Sequence, residues 1–247
     1  MIVIKSRAEI EIMRTAGKVT AGILERLSGL IEPGITTREI DAYVESEILR
    51  SRMVPAFKGY SGFPASTCVS INEQIVHGIP SGRKVADGDI VSIDVGCIYK
   101  GYYSDAARTY PAGNVSDVAL KLIRATEESF FEGLKFCRVG NRLSDISAAI
   151  QARAEADGFS LVRDFVGHGI GRAMHEEPQI PNYGPPGRGP RLVSGMVFAI
   201  EPMVNQGSYG IRVLDDDWTA VTIDGKLSAH YENTVAITDD EPEILTL

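Results

Sequence analysis

The sequence predicts an α+β protein built from two pseudo-twofold related halves, with an antiparallel sheet core and helices outside it. Three features carry this expectation. A helix, helix, strand order occurs twice, the glycine-to-acid spacings of the two passages match, and the apolar strand runs end on carboxylates. With 247 residues, 44% hydrophobic and 23% charged, the chain can bury a full core. It has no apolar run of about eighteen residues, so no membrane partner is expected. Only three apolar residues stand between Met1 and Lys5, and no small-residue cleavage site follows them. A secretory signal is therefore not expected, and the cytoplasm is the expected location. Cys68, Cys97 and Cys137 form no C-x-x-C pair, which predicts plain buried thiols rather than disulfides or a thiolate zinc site. A net charge of −8 and a pI near 5.1 argue against a nucleic-acid site. Part of that negative excess could be metal ligands.

Taken in order, Ser6-x-x-Glu9 is a capping box opening a helix that carries Ile10, Met13, Gly17 and Thr20. Thr36-x-x-Glu39, within "EPGITTREID", opens a second helix with Ile40, Val44 and Ile48. "RVGNRLSDIS" repeats that signal: Gly140 precedes Ile146 by six residues, as Gly34 precedes Ile40. Ser116 and Ser144 are the candidate N-caps of the second pair. "DGDIVSIDV" and "SGMVFAIEP" then match as strands, with Gly88 six residues before Asp94 and Gly195 six before Glu201. The offsets are 54 residues from Gly34 to Gly88 and 55 from Gly140 to Gly195. A repeat of this length, roughly 107 residues, is too long for a solenoid unit. It predicts one domain over 1–247 with halves near 1–112 and 113–247, and equivalent strand positions for Asp94 and Glu201.

The passage "IVSIDVGCIYKGYYSDAARTY" reads as a hairpin turning at Lys100-Gly101. Residue 96 then opposes residue 105. Strand side chains alternate, so Asp94 and Asp105 share a face as diagonal neighbours, about 7–8 Å apart along the backbone. Ile90, Val91, Ile93 and Val95 mark both faces as buried, and paired buried carboxylates repel unless a proton or cation lies between them. Glu201 closes the apolar run "GMVFAIE", and Glu232 lies in the β-branched run "HYENTVAIT". "DFVGHGIGRAMHEEPQIP" adds His168 between two glycines and His175 seven residues later. A glycine-flanked histidine alone suggests a loop; beside four buried acids it suggests a ligand. Carboxylates with one imidazole suit a pair of Mn²⁺, Fe²⁺ or Co²⁺ ions, with Zn²⁺ also possible.

The order Asp94, Asp105, His168, Glu201, Glu232, with "INEQIVHGIP", "GHGIGRAMHEEP" and "YENT" around it, resembles the type I methionine aminopeptidases in their short, bacterial-like form. The resemblance spans essentially the whole chain and implies the pita-bread metallopeptidase fold. It implies two divalent cations: Asp105 and Glu232 hold both, Asp94 chelates one, and His168 and Glu201 complete the other. A hydroxide shared by the ions would attack the first peptide bond and release the initiator methionine when the second residue is small. Glu201 would also shuttle the proton, His175 would bond the scissile carbonyl or oxyanion, and His77 would contact the peptide near the leaving nitrogen. The implied partners are nascent polypeptide N-termini, with a ribosome-side setting and a monomeric enzyme.

Tyr60, Phe63, Cys68 and Trp218 are the implied pocket, with Phe57 and Met174 beside them. Phe57 replaces a more usual Cys, Met174 a Phe, His230 a Gln and Asn233 a His, which leaves the ligand set whole but alters the pocket. Three other readings stay open: a proline-directed peptidase of the same fold, a catalytically dead binding protein, and a structural metal protein.

Overall fold

The computed structural model describes every residue from Met1 to Leu247. Its four helices are α1 (Arg7–Leu27), α2 (Thr37–Arg50), α3 (Asp117–Leu134) and α4 (Leu143–Ala156), and no helix is long and apolar enough to cross a membrane. Both expected capping boxes form. Ser6 Oγ accepts from the Glu9 amide at 3.3 Å while the Ser6 amide donates to Glu9 Oε2 at 2.8 Å. Thr36 and Glu39 repeat this at 3.2 and 2.8 Å, and Ser116 caps α3. Ser144 does not cap α4. That helix starts after Arg142, whose amide donates to Asp145 Oδ2 at 2.8 Å, and the Ser144 hydroxyl instead accepts from the Arg188 amide at 2.7 Å. A carboxylate is the stronger acceptor for the free amides of a first turn, so Asp145 sets the helix start.

The strand Ile90–Tyr99 pairs antiparallel with Tyr102–Pro111 on one edge and with Thr67–Ile71 on the other. Lys100 and Gly101 have φ of 48° and 77°, the primed-turn geometry a two-residue hairpin needs. The register is the expected one, with Gly96 opposite Asp105. Strand alternation then sorts the two faces. Val91, Ile93 and Val95 pack with Ile23, Leu27 and Ile40 of the first helix pair. Ile90 packs with Phe130, Ile146 and Phe198 of the second half. Asp94 is on the Ile90 face and so looks toward the second half.

The second half builds a five-stranded antiparallel sheet in the order Glu243–Ile244, Asn233–Ala236, Val197–Ile200, Gly167–Gly169, Glu176–Ile180. The halves bond directly where the acids meet. Ala107 and Glu232 exchange backbone hydrogen bonds at 3.3 and 3.0 Å. On one side Thr234 Oγ1 accepts from the Asp105 amide at 3.0 Å and donates to its carbonyl at 2.9 Å. On the other, Thr109 Oγ1 accepts from the His230 amide at 2.9 Å and donates to its carbonyl at 2.8 Å. All three cysteines are free and buried.

The C-terminal segment closes this seam from outside. Leu245 donates to the Thr234 carbonyl at 2.8 Å, and a Cβ built at Gly17 of α1 would collide with the Leu245 carbonyl. At Gly22, little more than one turn further on, an added Cβ meets only the guanidinium end of Arg26 at 3.2 Å, a half-exposed side chain rather than backbone. Alanine should therefore have opposite effects at two glycines of one helix. Gly22→Ala gains up to about 1 kcal/mol of helix propensity. Gly17→Ala adds an overpacking cost of about 1–3 kcal/mol that exceeds this gain. At about 2–4 °C per kcal/mol for a chain of this size, thermal melts should place Gly22→Ala above the parent and Gly17→Ala below it. The reverse order would mean that the C-terminal segment does not press on α1.

Candidate metal centre

A cavity of about 130 Å³ opens between the halves. On its walls stand Asp94, Asp105, His168, Glu201 and Glu232, together with His77, His175, Tyr60, Phe63, Cys68, Trp218, Phe57 and Met174. Every site residue expected from sequence thus reaches one space. Two acids differ from expectation in their backbone setting. Glu201 lies one residue beyond Val197–Ile200, and Glu232 lies in the break between Ser228–His230 and Asn233–Ala236. At that break the chain leaves one sheet for another, and Glu232 takes its backbone partner from Ala107 instead.

His168 is a strand residue, not a loop one. A Cβ at Gly167 would press on the Ala199 carbonyl at 2.5 Å, and one at Gly169 would collide with the Glu177 carbonyl. The glycines let neighbouring strands close around the ring. His168 Nδ1 lies 2.9 Å from the Gly169 carbonyl oxygen, which can only accept, so the proton is on Nδ1. The bare Nε2 points into the site, 3.5 Å from Glu201 Oε1. Burial lowers the pKa of His168 to about 3 and of His230 to about 3, so both rings stay neutral with a lone pair free for a cation. Burial also lowers His77 to about 4.

The carboxyls shift the other way. Burial pushes Asp94 up to about 7. Asp105 is raised well above its ordinary range by burial and then by the charges of Glu232 and Asp94. Glu201 is raised by burial, then by Asp105 and Asp94; Glu232 by burial, then by Glu201 and Asp94. Asp94 Oδ1, Asp105 Oδ1 and His230 Nε2 are buried without a hydrogen-bond partner. Arg108, the nearby cation, spends its guanidinium on the Ala107 and Glu232 carbonyls at 2.8 and 2.6 Å, not on the carboxylates. Ligand atoms of Asp94, His230 and Glu232 come within 4.8 Å of one another, as do those of Asp105, His168 and Glu232. Orphaned acceptors, mutual repulsion and donor spacing together fit divalent cations.

The outer cavity is apolar. Phe57, Phe63, Cys68 and Met174 form one cluster, with Tyr60 and Trp218 packed on it. Asp216 accepts from the amides of Trp218 and Thr219 at 2.9 and 2.8 Å, a turn that presents the indole edge-on to Phe63. Tyr60 Oη lies 2.7 Å from His175 Nδ1. His77 has φ of 60°, a conformation a non-glycine residue holds only when its surroundings impose it. Its ring stands edge-on to Phe165 and Trp218. Sequence reasoning missed Thr109, Thr234 and Arg108, and treated His230 only as a pocket departure. The signal for His230 was its i, i+2 relation to Glu232 in a strand-like run.

Acids and an imidazole at the floor of an apolar cleft make the site of a metal-dependent hydrolase. The chain belongs to metallopeptidase family M24, whose model matches residues 11–239. It is 59% identical to the methionine aminopeptidase of Clostridium perfringens, over 100% of this chain and 99% of that one. It is 53% identical to methionine aminopeptidase 1 of Bacillus subtilis, again over 100% and 99%. Its fold matches the crystal structure of methionine aminopeptidase from Thermotoga maritima with a TM-score of 0.98 at 48% identity, covering 100% and 99% of the two chains. The prolidase from Pyrococcus furiosus matches at 0.80 and 25% identity, over 99% of this chain and 65% of that one. The pita-bread architecture is thereby established, and membership of a metallopeptidase family makes divalent metal part of the site.

The raised carboxyl pKa values give a pH-dependent test. Below about pH 4 Asp94 is protonated in folded and unfolded chains alike and exerts no penalty. Between about pH 4 and 7 the unfolded chain ionises Asp94 while the folded state holds the proton, so the stability of metal-free protein falls across that window and levels off above it. In chelator, Asp94→Asn should melt above the parent at about pH 8, with the difference vanishing near about pH 4. Melts showing the variant equal or lower at the higher pH would contradict the assigned repulsion.

Proposed function

We propose that this chain is a methionine aminopeptidase that removes the N-terminal, initiator methionine from nascent polypeptides when the second residue is small. The observation that carries the proposal is the shared cavity: four acids and His168 on its walls, with an apolar cluster of Phe57, Phe63, Cys68 and Met174 beside them. In this reading Asp94, Asp105, His168, Glu201 and Glu232 hold two divalent cations, Mn²⁺, Fe²⁺ or Co²⁺, with Zn²⁺ also accommodated. When bound, such ions polarise the scissile carbonyl and lower the pKa of water toward about 7.

The chain's own groups then divide the work. Glu201, its pKa raised, takes the proton of the attacking water and returns it to the departing amine. Tyr60 Oη lies 2.7 Å from His175 Nδ1, and in this reading the phenol donates that bond, which leaves the imidazole proton on Nε2. His175 Nε2–H is the donor for the scissile carbonyl and its developing oxyanion. His77, neutral and braced by Phe165 and Trp218, lines the side of the leaving nitrogen. Phe57, Tyr60, Phe63, Cys68, Met174 and Trp218 receive the methionine side chain, where sulfur–aromatic contacts contribute about 0.3–1.5 kcal/mol.

We further read residues 1–247 as one catalytic domain of two related halves. It acts as a monomer in the cytoplasm, on chains as they leave the ribosome.

Rates on four peptides test the proposal. An apolar slot separates side chains differing by one methylene by only about 10–200-fold. kcat/KM should therefore be highest for Met-Ala peptides, lower by about that factor for Leu-Ala, and lowest for Met-Leu and Ala-Pro. Comparable Leu-Ala and Met-Ala rates, or faster Ala-Pro cleavage, would indicate a broader or proline-directed peptidase.

A further inference from the structure

One imidazole in the centre has no role among the five ligands above. His230 ends the strand Ser228–His230 and is only 2% exposed. Its Nε2 is buried, has no hydrogen-bond partner, and lies 3.8 Å from both Glu201 Oε2 and Glu232 Oε2. Neither gap is a hydrogen bond. Both are co-ligand spacings, because donors about 2.0–2.2 Å from one ion lie up to about 4.3 Å apart. The main chain that carries the ring is fixed, since Thr109 Oγ1 binds the His230 amide and carbonyl at 2.9 and 2.8 Å. The donor atoms form two groups that share Glu232, one with Asp105 and His168 and one with Asp94 and His230.

We propose that His230 Nε2 is a further metal ligand, so that each of the two cation positions takes one imidazole and Glu232 serves both. The proposal rests on the metal reading of the site made above. Its chemical consequence is selectivity. A nitrogen donor at both positions favours Fe²⁺, Co²⁺ or Zn²⁺ over Mg²⁺, which prefers an all-oxygen shell.

Loading wild-type protein, labelled at its histidine nitrogens, with NMR-active cadmium reads the bonds directly. Scalar coupling from cadmium to Nε2 of both His168 and His230 is the expected result; coupling to His168 alone overturns the assignment. Calorimetric titration with Co²⁺ supplies the second reading. His230→Gln should weaken one of two binding events by at least about tenfold and leave the other unchanged. Two events of parental affinity in that variant would also overturn the assignment while leaving the two-metal reading intact. Wild-type protein that binds no cadmium or cobalt in the cavity would remove the metal reading and this inference with it.

Discussion

Four carboxylates share one buried space, and their repulsion is the constraint around which this molecule is arranged. Burial raises the pKa of each, and Asp94 Oδ1 and Asp105 Oδ1 find no hydrogen-bond donor in the protein. A cluster of this kind is tolerated where the backbone around it is fixed by other interactions and a proton or cation relieves the repulsion. The surrounding apolar packing fulfils the first condition. Val91, Ile93 and Val95 lock one face of the acid-bearing strand to the first helix pair, while Ile90 on the other face joins the core of the second half.

The seam between the halves shows how the fixing is done. Thr234 holds both backbone groups of Asp105, and Thr109 holds both backbone groups of His230. The Ala107–Glu232 exchange lies between these two hydroxyl clamps. Residues four apart on one strand, 105 and 109, thus meet residues 230 and 234, which flank the break between two short strands, in reciprocal fashion. Arg108 reinforces the seam by bonding the Glu232 carbonyl at 2.6 Å and Asn233 Oδ1 at 2.8 Å, and by stacking on Tyr231. Its hydrogen bonds go to backbone and amide oxygens, so no carboxylate of the cluster is tied up in an ion pair with it, although its charge opposes the upward shift at Glu232.

Much of this could be read from the chain before folding. Period-two alternation and a Lys-Gly turn suffice to place Asp94 and Asp105 on one face, because hairpin geometry is local. The capping boxes at Ser6 and Thr36 were legible for the same reason. Ser144 failed as a cap because Asp145 holds the Arg142 amide locally, while the partner that Ser144 takes instead, the Arg188 amide, is brought to it only by tertiary structure. Glu232 reads as a strand residue by composition, yet the chain changes sheets there to meet Ala107, a contact 125 residues away in sequence. The threonine clamps were invisible for the same reason, since buried threonines in strands ordinarily report only β-propensity.

Anomalous diffraction from crystals soaked in Mn²⁺ addresses the proposed two-cation centre most directly. Two peaks are predicted within the cavity, both among Asp94, Asp105, His168, Glu201, Glu232 and His230, with Glu232 touching each. Peaks confined to surface acids, or any of the four carboxylates turned away from the cavity in the loaded protein, would contradict it.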